Sequence, residues 1–405
     1  MNKKFLWPLL GMVVAVALVV AGCGDDDDSS SEPTAMELVI GRVLPETGSL
    51  AFLAPPMVVG ARLAVEDIQA AGGNVRMITG DTATDLDVAP ETVNRLLGEG
   101  AHVIVGAASS GVSQSFIQTL FDAQIPQCSP SNTSPSFSIQ DNAGFYFRTV
   151  TPDDAQAPLL ANHVAARGAT NVAIVARADD YGNQLSKLTQ AELADAGVDS
   201  RIISYDEDAP SYDGTIGEAV SMGANAIVLI SFSEGIQILR GLLESGVPPT
   251  AIFASDGLYD LDLADKVDRS NPNVVDGLIA FSADFDQLDE DFSTRLLQET
   301  DNKLTYGGQA YDCVVVLALA SLAAGSTDGR AIMDEVQGVT RDGTKCFDYE
   351  ECAGLIADGE NIDYDGVSGP LDLDDVGDPT WGRYVVSQFQ DGVLTPIDSQ
   401  EVDRN

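Results

Sequence analysis

The sequence predicts an α/β protein of two lobes. Each lobe is a parallel sheet flanked by helices, and the two are hinge-linked across a central cleft. Three observations carry this. From Glu37 onward, short β-branched runs alternate with helical periodicity, the pattern of parallel strands joined by crossover helices. The alternation restarts near Phe145, after the serine-rich loop Cys128-Ser-Pro-Ser-Asn-Thr-Ser134, so there are two segments of similar size. The chain has 405 residues, enough for two separate cores.

The start of the chain stands apart. Lys3 and Lys4 precede an apolar run over 5–20, and Val20-Ala21-Gly22-Cys23 closes it, so residues 1–22 read as a secretory signal peptide. An uncleaved anchor and an ordinary secreted signal are the alternatives. Residues 23–35, with Asp25 to Asp28 in a row, form an acidic tether that like-charge repulsion extends. Nothing holds those aspartates in the fixed geometry of a metal site.

A first strand is expected over 37–43, then a loop over 45–56 with Thr47-Gly48-Ser49. A helix over 57–70 stops at Ala71-Gly72-Gly73. A strand over 75–78 and a helix over 90–98 follow. The strand 102–105 is broken by Gly106, and Ala107 and Ala108 leave room for close approach. Ser109 and Ser110 stand where the next helix, 113–122, should begin. Small residues and hydroxyls at a helix start make an anion seat, because the first N–H groups lack internal partners. It lacks the Gly-Lys-Ser/Thr of a phosphate loop and the Gly-x-Ser-x-Gly of a nucleophile elbow. A plain N-cap serine is the competing reading.

The second segment offers strands over 145–150, 171–177, 198–205, 226–230 and 252–254, with helices over 155–167, 183–196, 216–222 and 236–245 between them. The last of these strands delivers Ser255-Asp256. A strand over 277–281 returns, and the long apolar helix 309–324 contains Asp312, which marks buried core rather than a membrane span. A hairpin over 380–390 and 393–397 ends the chain.

With 63 acidic and 21 basic residues the formal charge is −42, which excludes nucleic acid as a partner and favours solubility in salt. Besides Cys23 there are four cysteines. Cys346 and Cys352 flank a short polar stretch and are expected to close a disulfide loop; zinc is the competitor, with only two histidines in the chain, neither nearby. Cys313 reads as a buried thiol, and Cys128 is unassigned. His102 and His163 accompany no Ser/His/Asp motif, so no enzyme is expected. Asn361 to Gly366 with Asp372 spaces oxygen ligands like a calcium loop, without evident flanking helices. No metal and no cofactor are expected.

Several stretches together resemble a known family. They are Leu44 to Leu53, Gly60 to Gly73, Gly106 to Ser110, Ser129 to Pro135, Phe147-Arg-Thr149, Asp180-Tyr-Gly182, Tyr306 to Asp312 and Ser368 to Leu373, in order along nearly the whole mature chain. The chain resembles the periplasmic binding proteins of the leucine/isoleucine/valine type, the solute receptors of branched-chain amino acid ABC importers. The resemblance implies the type I periplasmic binding protein fold, with 36–149 plus 280–368 as the first lobe and 150–279 plus 369–405 as the second. It implies a ligand carboxylate held by Ser110 and neighbouring Ser109, with Ser131 and Thr133 beside them. Tyr181 is the second lobe's aromatic, and Asp256 pairs with the ligand ammonium. Leu53 stands where an aromatic often lines the side-chain pocket, and with Phe232 leaves side-chain specificity open.

Each has a plainer reading: Ser131 and Thr133 as turn residues, Tyr181 as a half-buried tyrosine, Asp256 as a helix cap. The partners implied are a small amino acid, an ABC permease and its ATPase, with the receptor itself a monomer. Residues 20–23 closely resemble a bacterial lipobox. That implies lipid on Cys23 and a membrane-anchored protein on the periplasmic or outer face of the cell envelope. A ligand-sensing surface lipoprotein of the same fold, binding an amide or another small carboxylate, is the alternative function.

Overall fold

The computed structural model describes residues 36–139, 144–283 and 289–404. The signal segment, the tether and Cys23 lie outside them.

Five parallel strands make the first sheet: β1 (Leu38–Leu44), β2 (Val75–Asp81), β3 (Val103–Gly106), β4 (Gln127–Ser129) and β5 (Tyr146–Arg148), in the order β2-β1-β3-β4-β5. β1 is buried at every position, as expected of a strand covered on both faces. Helices Ala54–Ala70 and Gly307–Ala324 lie together on one side; Val88–Gly98 and Ser110–Ala123 bury Val93, Leu96, Phe116 and Leu120 on the other.

The second sheet has seven strands. β6 (Asn171–Arg177), β7 (Asp199–Tyr205), β8 (Ala226–Ile230), β9 (Ile252–Ala254) and β10 (Ile279–Ala283) are parallel. A three-stranded sheet of β11 (Thr344–Cys346), β12 (Ile362–Gly366) and β13 (Gly369–Pro370) intervenes in the chain. The hairpin β14 (Trp381–Gln390) and β15 (Val393–Asp403) then adds antiparallel to β10, giving the order β15-β14-β10-β9-β8-β6-β7. Side chains alternate along β6: Val172, Ile174 and Ala176 join one core, Ala173 and Val175 the other.

The chain crosses between the sheets after Arg148, after Ala283 and over the stretch that ends at Trp381. The expected boundary at residue 280 falls inside β10. That strand stays in the second sheet through Ala283, paired with β9 at its start and with β14 along its length. The helix Gly307–Ala324 has the length and apolarity of a membrane span, yet 78% of it is buried in protein. Its Asp312 is fully enclosed and accepts hydrogen bonds from the Tyr364 hydroxyl (2.8 Å), the backbone N–H groups of Val367 (3.0 Å) and Ser368 (2.9 Å), and the Ser368 hydroxyl. This pins the third crossing to the first half. A side chain at Gly366 would collide with that carboxyl group.

Cys346 and Cys352 are bonded, with Cα atoms 5.4 Å apart. Cys313 corrects the reading of a buried thiol: it is bonded to Cys128, 185 residues away in sequence and 5.6 Å between Cα atoms. Two apolar segments far apart in the chain, β4 and the long helix, meet only in the folded core, so spacing gave no hint of the pair. Lys345 Nζ lies 2.9 Å from both Asp363 and Asp365, so a cation from the chain occupies the acids read as calcium-like.

Candidate functional site

The first half contributes a turn and a loop. Gly106, at φ +114°, has Val43 O so close that no side chain fits, and it ends β3. The helix Ser110–Ala123 then starts with Ser109 as N-cap, its Oγ 3.5 Å from Val112 N. The plain cap reading holds for Ser109, and the same residue lines the crevice described below. Ser110 Oγ accepts from Ser134 N at 3.3 Å.

The loop after β4 is knitted to the same turn. Ser131 Oγ donates to Ala108 O at 3.2 Å, and the Asn132 amide donates to Ala107 O (3.1 Å) and Ala108 O (2.9 Å). Beneath it, fully buried Arg148 donates to Asn132 O (2.9 Å) and Ser134 O (2.8 Å) and pairs with Asp378 at 2.6 Å. These bonds from a buried, ion-paired guanidinium hold the loop's backbone in place.

The second half contributes Tyr181, Phe232 and Asp256. Tyr181 follows the N-cap Asp179 of helix Asp180–Asp195 and is 3% exposed, not half-buried. Its hydroxyl donates to Asp256 Oδ1 at 2.6 Å and accepts from Gly257 N at 3.2 Å. Its ring stacks on Phe232, centroids 5.4 Å apart, and the Arg177 guanidinium lies 3.7 Å from the Phe232 ring centre. Asp256 opens a short 3-10 turn whose N-cap is Ser255. Its carboxyl caps nothing; it takes Tyr181, the Gln156 amide (2.9 Å) and the Tyr306 hydroxyl (2.9 Å). Burial first, then the nearby Asp256, pushes both phenols well up, so both stay protonated donors.

Ser109, Ser110, Ser131, Thr133, Tyr181, Asp256, Leu53 and Phe232 all line one crevice between the two sheets. Leu50, Ala108, Gly257 and Tyr306 complete the wall. Tyr306 is the residue that sequence reasoning missed. It precedes Gly307-Gly308 with φ +60°, rare for a bulky side chain, and reaches Asp256 from the opposite half. The halves also touch at the rim, through Ser136 Oγ to Asp180 Oδ2 (2.7 Å), Ser233 N to Ser49 O (3.3 Å) and Lys303 Nζ to Asp262 Oδ2 (2.8 Å).

Chemically, one end of the crevice offers hydroxyls and a helix N-terminus to an anion, and the other a carboxyl group to a cation. Neither histidine is there. His102 Nδ1 accepts from Val39 N at 3.1 Å, and His163 packs edge-on against Phe281. No nucleophile–base pair lines the crevice among the described residues.

Two halves around such a crevice are the architecture of a solute receptor. Residues 37–378 match the periplasmic binding protein family, and the chain belongs to it, with the type I fold. The Leu/Ile/Val-binding protein homolog 1 of Brucella abortus is 22% identical over 369 residues, covering 88% of this chain and 91% of that protein. Among solved structures, the leucine-binding protein LivK of Thermotoga maritima superposes with a TM-score of 0.76 at 20% identity, over 89% of this chain and 98% of that one. A solute-binding protein of R. palustris in complex with benzoate gives 0.71 at 14% identity, over 90% and 96%.

Proposed function

We propose that this protein captures a small amino acid, branched-chain or related, between two lobes built on its two sheets, and delivers it to an ABC permease. The single observation behind this is the polarity of the crevice. Ser109, Ser110, Ser131 and Thr133 line it from one half, and Asp256 from the other. An α-amino acid carries its carboxylate and its ammonium group on one carbon, so it bridges the halves and rewards closure. Leu50, Leu53 and Phe232 give an apolar patch for an aliphatic side chain. In this reading the signal and Cys23 carry the receptor to the outer surface of a membrane as a monomeric lipoprotein.

The benzoate-bound neighbour keeps a second reading open, a sensor or receptor for a simple carboxylate. Calorimetry on the purified chain with branched-chain amino acids, their amides and the matching carboxylates without an amine separates the two. Amino acids should bind at least a hundredfold tighter than the amine-free acids. Asp256→Ala should erase that difference while leaving the weak carboxylate binding. Equal losses for both ligand classes, or tightest binding of an amine-free acid, would overturn the amino-acid reading.

A further inference from the structure

Behind the crevice wall, joined to Asp256 through Gln156, stands a second acid. Asp153 begins the helix Asp153–Ala166 and is 0% exposed. One of its oxygens, Oδ2, has no hydrogen-bond partner among the described residues. The Gln156 amide donates to the other at 3.3 Å, and the Thr133 hydroxyl lies near enough to the carboxyl group to favour its ionised form. That same amide nitrogen donates to Asp256 Oδ1 at 2.9 Å, so one Nε2 bridges two carboxyl groups. The Asp153 backbone N–H donates to Thr133 O at 2.7 Å, which joins this acid to the anion-side loop as well.

Among the described residues the cation that acts on Asp153 is Arg148, and it offsets burial and the charge of Asp256 only in part. Among the described residues neither acid forms a salt bridge, and the nearest guanidinium, Arg148, is committed to Asp378 and two backbone carbonyls. Around Asp153 stand Asp256, Asp154, Arg148 and the phenols of Tyr181, Tyr306 and Tyr384. All three phenols are held protonated by burial. Two negative charges sharing one amide in a dry interior repel strongly, and an oxygen without a donor does nothing to stabilise the ionised form.

We infer that Asp153 is a positioning acid of the cation site. It carries a proton while the crevice is empty and loses it to solvent when a ligand ammonium seats against Asp256. The O–H bond of Asp153 breaks as the ammonium supplies the missing positive charge, and Gln156 transmits the change by holding both carboxyl groups in register. Burial, reinforced by Asp256, pushes the Asp153 carboxyl well above the ordinary carboxylate range, in the same direction. Affinity for a cationic solute therefore rises with pH until the free protein itself has lost the proton. Affinity for an amine-free carboxylate does not follow that rise. This rests on the amino-acid reading for its ligand but not for the state of the empty site.

The test is titration calorimetry of the whole mature chain with leucine, in two buffers of different ionisation enthalpy, across about pH 5 to 8. The wild type should release up to one proton per leucine, with affinity changing by up to about tenfold per pH unit at the acid end. Asp153→Asn should abolish both the release and the slope while still binding leucine. An infrared difference spectrum, unliganded wild type minus Asp153→Asn, should contain the carbonyl stretch of a protonated carboxyl group. That arm needs no ligand, so it stands even if no amino acid binds. Identical heats in the two buffers would overturn the proposal. So would a slope that survives in the variant, or a spectrum without the band. If the variant fails to fold, the two-buffer comparison on the wild type decides alone.

Discussion

Asp256 has three donors on its two oxygens, and a carboxylate has about four acceptor positions. One position is left for a ligand, enough for one N–H of an ammonium and too few for a bidentate guanidinium. Each donor is therefore part of the site's shape. Tyr306→Phe removes one hydrogen bond to a buried carboxyl, and urea denaturation should register a loss of about 1.5–3 kcal/mol. An unchanged midpoint would mean that the phenol bond to Asp256 contributes nothing. Asp256 and Tyr181 were singled out by the family resemblance, and both line the crevice, one just past a strand's carboxyl end and the other at a helix start. Tyr306 was not, because its stretch reads as the apolar start of a core helix, and only the left-handed turn at that residue swings the ring into the crevice. Asp153 was hidden likewise: it falls in the stretch 151–154 just before the helix expected over 155–167, where an aspartate reads as a turn residue.

Individual elements are fastened by bonds that differ in reach. The Cys128–Cys313 bond ties β4, which delivers the serine-rich loop, to the helix that begins beside Tyr306. Closing a 185-residue loop restrains the unfolded chain by about 5 kcal/mol in the chain-entropy view, against about 2 kcal/mol for the short Cys346–Cys352 loop. Replacing each pair by alanine should lower the melting temperature far more for Cys128/Cys313. Equal shifts would count against the long bond being formed.

Asp312 fastens the third crossing. Burial pushes its carboxyl up to about 6, against four hydrogen bonds that favour the charged form. A folded value above the unfolded one means the folded state binds this proton more tightly. Its contribution is then complete below about pH 4 and lost as pH rises to about 6, roughly 3 kcal/mol in all. The wild type's stability minus that of Asp312→Asn, measured by denaturation across that window, should fall as pH rises; a flat difference would remove Asp312 from the account.

At the scale of the molecule, 63 acidic residues face 21 basic ones. Repulsion among them opposes the compact state and is screened by salt, the Debye length shrinking from about 30 Å at 0.01 M to about 3 Å at 1 M. The melting temperature should climb with sodium chloride across that range and not with an uncharged osmolyte at equal osmolarity. A melting point indifferent to salt would show the acids to be fully solvated already. The double alternation of strands and helices was legible because the central strands of both sheets are buried on both faces, which leaves near-continuous apolar runs. The β10 boundary was not, because a strand's membership depends on its neighbours, and β14 arrives only a hundred residues later in the chain.

The three crossings between the sheets have a mechanical corollary. Side-by-side straps bend readily about the line that runs across them and resist twist and sideways slip. In a receptor that closes as proposed, the mouth would swing along a single arc, and its angle alone would report whether the seat is taken. Anything that docks against both rims can read occupancy as one distance, without touching the guest.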